Sequence, residues 1–128
     1  MKITQNQFKL FQAGVHEWID FFGLKEWQIL FLFERMENNR AEIRFDCVSG
    51  IAVFVLNTRW ETEEEWVTDT IIRKVAFHEV CELLLGRLVH ITNQRHGTTE
   101  DGVEEETHRI IRTLENTIWK QWDEEEER

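Results

Sequence analysis

Proline is absent from this 128-residue chain, and glycine (6) and cysteine (2) are scarce. Without proline, internal repeats or a low-complexity linker, no position marks a boundary between domains. One domain is therefore expected over residues 1–122, with an acidic, frayed tail at 123–128. Cys47 and Cys81 are too few for a disulfide framework; both sit in apolar surroundings and read as buried free thiols. Neither has the second cysteine nearby that a zinc finger needs. No run of about 18 or more apolar residues suggests a membrane span. The first residues, MKITQNQFKLFQ, lack the continuous apolar region and small-residue cleavage site of a secretory signal, so the cytoplasm is the expected compartment. Also missing are a glycine-rich phosphate loop, a GxSxG elbow and a cysteine beside an obvious base, which leaves phosphoryl transfer and serine-type hydrolysis unsupported.

Positive charge is in short supply: 15 Lys and Arg stand against 25 Asp and Glu, for a formal net charge of −10. The acids cluster as ETEEE at 61–65, EDGVEEE at 100–106 and DEEEE at 123–127. Such a surface repels phosphate backbones, so direct nucleic-acid binding is disfavoured while a basic protein partner is permitted. Two of the clusters fall where helices are expected to start, where carboxylates favour the positive end of the helix dipole. What the chain has in quantity is bulk. Six Trp and nine Phe within 41% hydrophobic content are enough for a core of its own.

The period of the apolar residues orders that material. Phe8, Phe11, Val15, Trp18, Ile19 and Phe22 recur at helical spacing over 5–22, with Gly23 where a C-terminal cap belongs. WQILFLFER (27–35), RAEIRFDC (40–47) and IAVFVLN (51–57) are rich in branched and aromatic residues and are separated by the short segments MENN and VSG, which predicts three strands joined as hairpins, the first two antiparallel. In the second, Ala41, Ile43, Phe45 and Cys47 alternate with Glu42, Arg44 and Asp46, one dry face and one wet. A long helix is expected over about 63–89, then the polar loop HITNQRHGTTEDG, then a closing helix over about 103–122 with Val103, Thr107, Ile110, Ile111, Leu114, Ile118 and Trp122 on one face. The expected class is α+β: a helix, a three-stranded mainly antiparallel sheet, a long central helix and a closing helix, with the helices packed on the sheet.

The long helix contains the segment RKVAFHEVCELLLGRL, in which His78, Glu79 and Glu82 interrupt residues otherwise suited to burial. Burying an ionisable group is costly unless it is paired, hydrogen-bonded or coordinating a metal. Positions four apart share a helix face, so His78 and Glu82 fall in line with Ile71, Val75, Leu85 and Val89, while Glu79, offset by one and flanked by Ile72, Ala76 and Leu83, should be shielded. An imidazole and a carboxylate at this spacing can hold one metal ion, zinc being the best match for mixed nitrogen and oxygen donors. A residue beside the first ligand is placed to take a proton from water. A catalytic zinc needs a third protein ligand from elsewhere. The plain alternative is a hydrogen-bonded His–Glu pair, or one that reaches Arg73, Lys74 or Arg87. His16, His90 and His96 are weaker candidates, the last two in or near the polar loop.

The string FHEVCE resembles the zincin motif HExxH with Glu in place of the second His, and the order of elements around it is similar to that of minimal zincin-like metallopeptidases, SprT-like and small phage-type. The resemblance implies that His78 is the first zinc ligand, Glu79 the general base and Glu82 the occupant of the second ligand's place. IAVFVLN resembles the family strand that forms the sheet edge and binds an extended peptide by strand addition. EEETHRIIRTLE on the closing helix resembles the place of a third, glutamate ligand, which implies Glu105, with Glu104 and His108 as alternatives. Glu for His at 82 adds negative charge and weakens the ion as a Lewis acid. The implied function is a zincin-like metal-binding protein, a weak or degenerate peptidase acting on a peptide or protein. The rival reading is a non-catalytic acidic protein that competes with nucleic acid for a basic partner.

Overall fold

The computed structural model describes residues 1–94 and 99–126, apart from the side chains of Trp122, Asp123 and Glu126. The expected placements of His96 and of the Trp122 side chain lie outside the described residues. Helix α1, Gln5–Phe22, starts on a reciprocal cap in which Thr4 accepts from the Gln7 amide while the Gln7 side chain accepts from the Thr4 amide. It stops at Gly23, whose φ of 67° closes the helix in the left-handed region.

Strands β1 (Gln28–Glu34), β2 (Ala41–Asp46) and β3 (Ile51–Asn57) follow closely the expected segments, but their order in the sheet is β1-β3-β2. β1 runs parallel to β3, and β2 antiparallel to it. The expectation that the first two strands form an antiparallel hairpin is therefore corrected: they do not pair, and the sheet is mixed rather than mainly antiparallel. The reason is burial. Ala52 and Phe54 to Asn57 of β3 are all buried, and a strand apolar on both faces takes the middle of a sheet, where parallel pairing is commonest. The segment after β1 thus crosses the end of β3 instead of turning back. Asn57, 3% exposed, pins it there: its amide donates to the carbonyls of Met36 (2.8 Å) and Asn39 (2.7 Å), and its oxygen accepts from the amides of Met36 and Arg59. Among the described residues only β2 and β3 form a hairpin, through Gly50 at φ 73°, with Asp46 accepting from the Val48 and Ser49 amides. Those amides hold the Asp46 carboxyl below its ordinary pKa.

Helix α2 runs over Asp69–Asn93, later at both ends than expected. The acids at 63–65 form a short 3-10 turn, Glu64–Trp66, and Thr68 caps α2 by accepting from the Ile71 amide. Helix α3, Glu100–Leu114, is capped by Thr99, so Glu100 and Asp101 do lie at the favourable end of its dipole. It continues through a π-helical turn, Glu115–Trp119, into α4, Lys120–Glu126, which carries helix into the segment expected to fray. Phe11, Val15 and Ile19 of α1, Ile72, Ala76, Val80 and Leu83 of α2, and Phe54 and Leu56 of β3 make the core. The class is α+β, and no helix of the described residues is long and apolar enough to cross a membrane. Cys47 and Cys81 are free and half-buried, and burial raises both thiol pKa values.

Candidate metal centre

The buried stripe of α2 is Ile72, Ala76, Glu79, Val80, Leu83 and Gly86, which recurs every three or four residues as a packed helix face requires. Gly86 sets how closely the helix approaches β2, since a Cβ at this position would stand 2.9 Å from the Phe45 ring. Glu79 thus occupies a core position about two turns before that contact. It is 5% exposed, in agreement with its expected shielding.

His78 and Glu82 lie one residue before the stripe, at its solvent shoulder. Their side chains are 69% and 52% exposed, and Leu85 and Val89 on the same line are exposed too. The line expected to be buried is half-buried at Ile71 and Val75 and open from His78 onward. The His78 Nε2 to Glu82 Oε1 distance is 3.7 Å, and one donor atom from each of His78, Glu79 and Glu82 falls within 4.8 Å of the others. The cluster is built from little more than one turn of helix, so its geometry follows from the backbone period alone.

Electrostatics separate the two carboxyls. Burial, then a hydrogen bond with Glu82, then the charges of Glu82 and of Glu42 on β2, push the Glu79 pKa up to about 8. At neutral pH Glu79 is therefore an acid that keeps its proton. Its Oε2 is buried and has no hydrogen-bond partner among the described residues, a state that favours the arrival of a cation or a donor. Two ligands about 2 Å from one tetrahedral ion stand roughly 3.3 Å apart, so the 3.7 Å His78–Glu82 pair lies near the spacing of two ligands to one small divalent ion.

The closing helix does not complete the set. Glu104, Glu105 and His108 are exposed on α3 and do not join the cluster, and the α3 carboxylate turned toward α2 is Glu106, with a side chain 14% exposed. Glu106 lines a narrow cleft with Trp27, Leu83, Leu84 and Arg87; the Arg87 guanidinium lies 5.0 Å over the Trp27 ring. The expected α3 face is rotated accordingly. Ile110 and Leu114 turn inward, whereas Ile111 and Ile118 are exposed. His16 rests edge-on against Phe31, and His90 contacts Gln94 at the end of α2; neither belongs to the cluster.

The strand IAVFVLN is also displaced from its expected role. As β3 it is paired on both sides, so the free edges belong to β1 and to β2, and it is β2 that α2 packs beside. Glu42 was not among the sequence candidates. It faces outward on β2, bridged by Arg44 to Glu34, and its only sequence signal is the wet face of that strand. No protein-family model, curated protein or solved structure matches the chain.

Proposed function

We propose that this chain is a metal-binding protein of zincin-like arrangement, with zinc held by His78 and Glu82 and with Glu79 at its flank. The observation that supports the reading best is the buried Glu79 carboxyl, whose unpartnered oxygen stands beside two exposed donors of the residue types zinc takes. Zinc in such a site supplies a Lewis acid that polarises a carbonyl. The chain's own residues do the rest. Glu79 keeps its proton beside Glu82 and would give it up as positive charge arrives, so uptake of metal would release protons. Only then is Glu79 a base. Peptidase activity on this reading is weak, because both ligands come from one helix and the third-ligand residues proposed by resemblance, Glu105, Glu104 and His108, stay on the surface of α3. A peptide substrate is accepted along β2, whose outer edge is free.

Elemental analysis and zinc titration of protein prepared without chelator test the reading. Binding lost in His78→Ala and Glu82→Ala, with about one proton released in wild type near pH 7, supports it; a wild type that takes up no zinc overturns it. Casein cleavage abolished by Glu79→Gln with zinc retained identifies Glu79 as the base.

A second reading is supported by the continuous exposed surface of Glu100, Asp101, Glu104 and Glu105 on the first turns of α3. There the chain binds a basic protein in place of nucleic acid, and neutralising Glu104 and Glu105 weakens the complex while Glu79→Gln leaves it intact.

A further inference from the structure

The parallel pairing of β1 and β3 has a consequence at their carboxyl ends. Their register ends at Glu34 opposite Asn57, and the Thr58 amide donates to the Glu34 carbonyl, so Arg35 is carried to the side of Thr58 and Arg59. The first residues of the chain then run antiparallel to the continuation of β3. Ile3 donates to the Thr58 carbonyl and Trp60 to that of Met1, both at 2.8 Å, which sets Lys2 opposite Arg59. Three cations from separate parts of the sequence meet at one corner.

Lys2, Arg35 and Arg59, with Met1 and Thr58, line an open cavity of about 440 Å³ that has no carboxylate in its lining. None of the three cations forms an ion pair with a described residue, although the chain carries 25 Asp and Glu. All three are exposed. Carboxylates do stand near: Glu37 and Glu61 share an adjoining cavity of about 330 Å³ with Arg35 and Arg59, and Glu61, Glu63 and Glu64 share another with Lys2. They ring the corner without neutralising it.

We propose that this corner binds a small diphosphate-bearing anion. Convergent cations with a hydroxyl at the carboxyl ends of neighbouring parallel strands offer charge-assisted donors to phosphate oxygens, the guanidinium groups in a fork that matches them. The cavity has the size of a site for a nucleotide-scale molecule. The acidic ring selects against a polyanion, because a strand of nucleic acid laid across Lys2 and Arg59 meets Glu37, Glu61, Glu63 and Glu64 on either side. The site is separate from His78, Glu79 and Glu82 in residues and in charge.

Calorimetric titration of the full chain, with chelator present so that metal plays no part, tests the proposal. Inorganic pyrophosphate, ADP and a short single-stranded oligonucleotide are the probes. Saturable binding of pyrophosphate or ADP is expected, weakened about fivefold or more by Arg35→Gln and by Arg59→Gln and unchanged by Lys120→Gln, whose charge lies elsewhere. Both arginines are exposed, so thermal melts of the variants should match wild type. Equal affinity for pyrophosphate and ADP assigns the contact to the diphosphate alone, and tighter ADP binding assigns it to a nucleoside diphosphate. Absence of saturable binding by wild type, affinity indifferent to both arginine substitutions, or tighter binding of the oligonucleotide overturns the proposal.

Discussion

The shoulder of α2 and the carboxyl ends of β1 and β3 concentrate charge of opposite sign by opposite means. On α2, His78, Glu79 and Glu82 are neighbours because a helix repeats every 3.6 residues, and the charge they gather is partly cancelled by a proton held on buried Glu79. At the strand ends, Lys2, Arg35 and Arg59 are neighbours only because the sheet is ordered β1-β3-β2, and their charge stays exposed and without an ion pair among the described residues. A site made within one element survives changes elsewhere in the fold. A site made by topology is only as secure as the contacts that fix the topology.

The sharpest way to break this contrast is Asn57→Leu. It leaves the Met36 amide and the carbonyls of Met36 and Asn39 without their partners and should cost about 3 kcal/mol. Denaturant unfolding checks the loss; pyrophosphate binding should fall while zinc binding by α2 persists. Next in size, zinc at about 100 times its dissociation constant should stabilise wild type by ~2.7 kcal/mol, an increment removed by chelator and absent from His78→Ala.

The third prediction concerns pH. The folded pKa of Glu79, about 8, lies above the ordinary 4.5, so between these values the folded state binds more protons than the unfolded state. Its contribution to stability is complete below about pH 4.5, is lost as pH rises toward 8, and changes little beyond. Glu82 and Glu42 are the charges that raise it, and His78 is the neighbouring imidazole. Glu79→Gln does not titrate; in chelator it should gain on the order of 2 kcal/mol over wild type at pH 9 relative to pH 5, read from melts at both. The smallest effect is expected from Arg44→Ala, which removes an exposed Glu34–Arg44–Glu42 network and should move the denaturant midpoint least of these variants while zinc and pyrophosphate binding persist.

Much of the local structure is legible in the residues. Helix α1 and its Gly23 cap, the three strand segments and the shielding of Glu79 all follow from spacing. The start of α2 was obscured because the run of acids at 61–65 imitates a first helical turn, whereas the capping hydroxyl is Thr68. The face of α3 was misjudged for a related reason: its apolar residues are spread widely enough to allow more than one rotation, and packing against Leu83 and Leu84 selects the one that turns Glu106 inward. A signal for the strand order was present. IAVFVLN lacks the polar alternation of AEIRFD, and a strand without a wet face belongs between two neighbours.

By itself the sequence determined the elements and the donor cluster on α2, because helical and strand periods act over a few residues and need no knowledge of the rest of the chain. Only the tertiary structure decided which strand lies in the middle, that Glu104, Glu105 and His108 stay away from His78, and that Lys2, Arg35 and Arg59 come together. Those outcomes depend on burial shared between distant segments, where the gain from covering β3 on both sides outweighs the short loop that favours a β1–β2 hairpin.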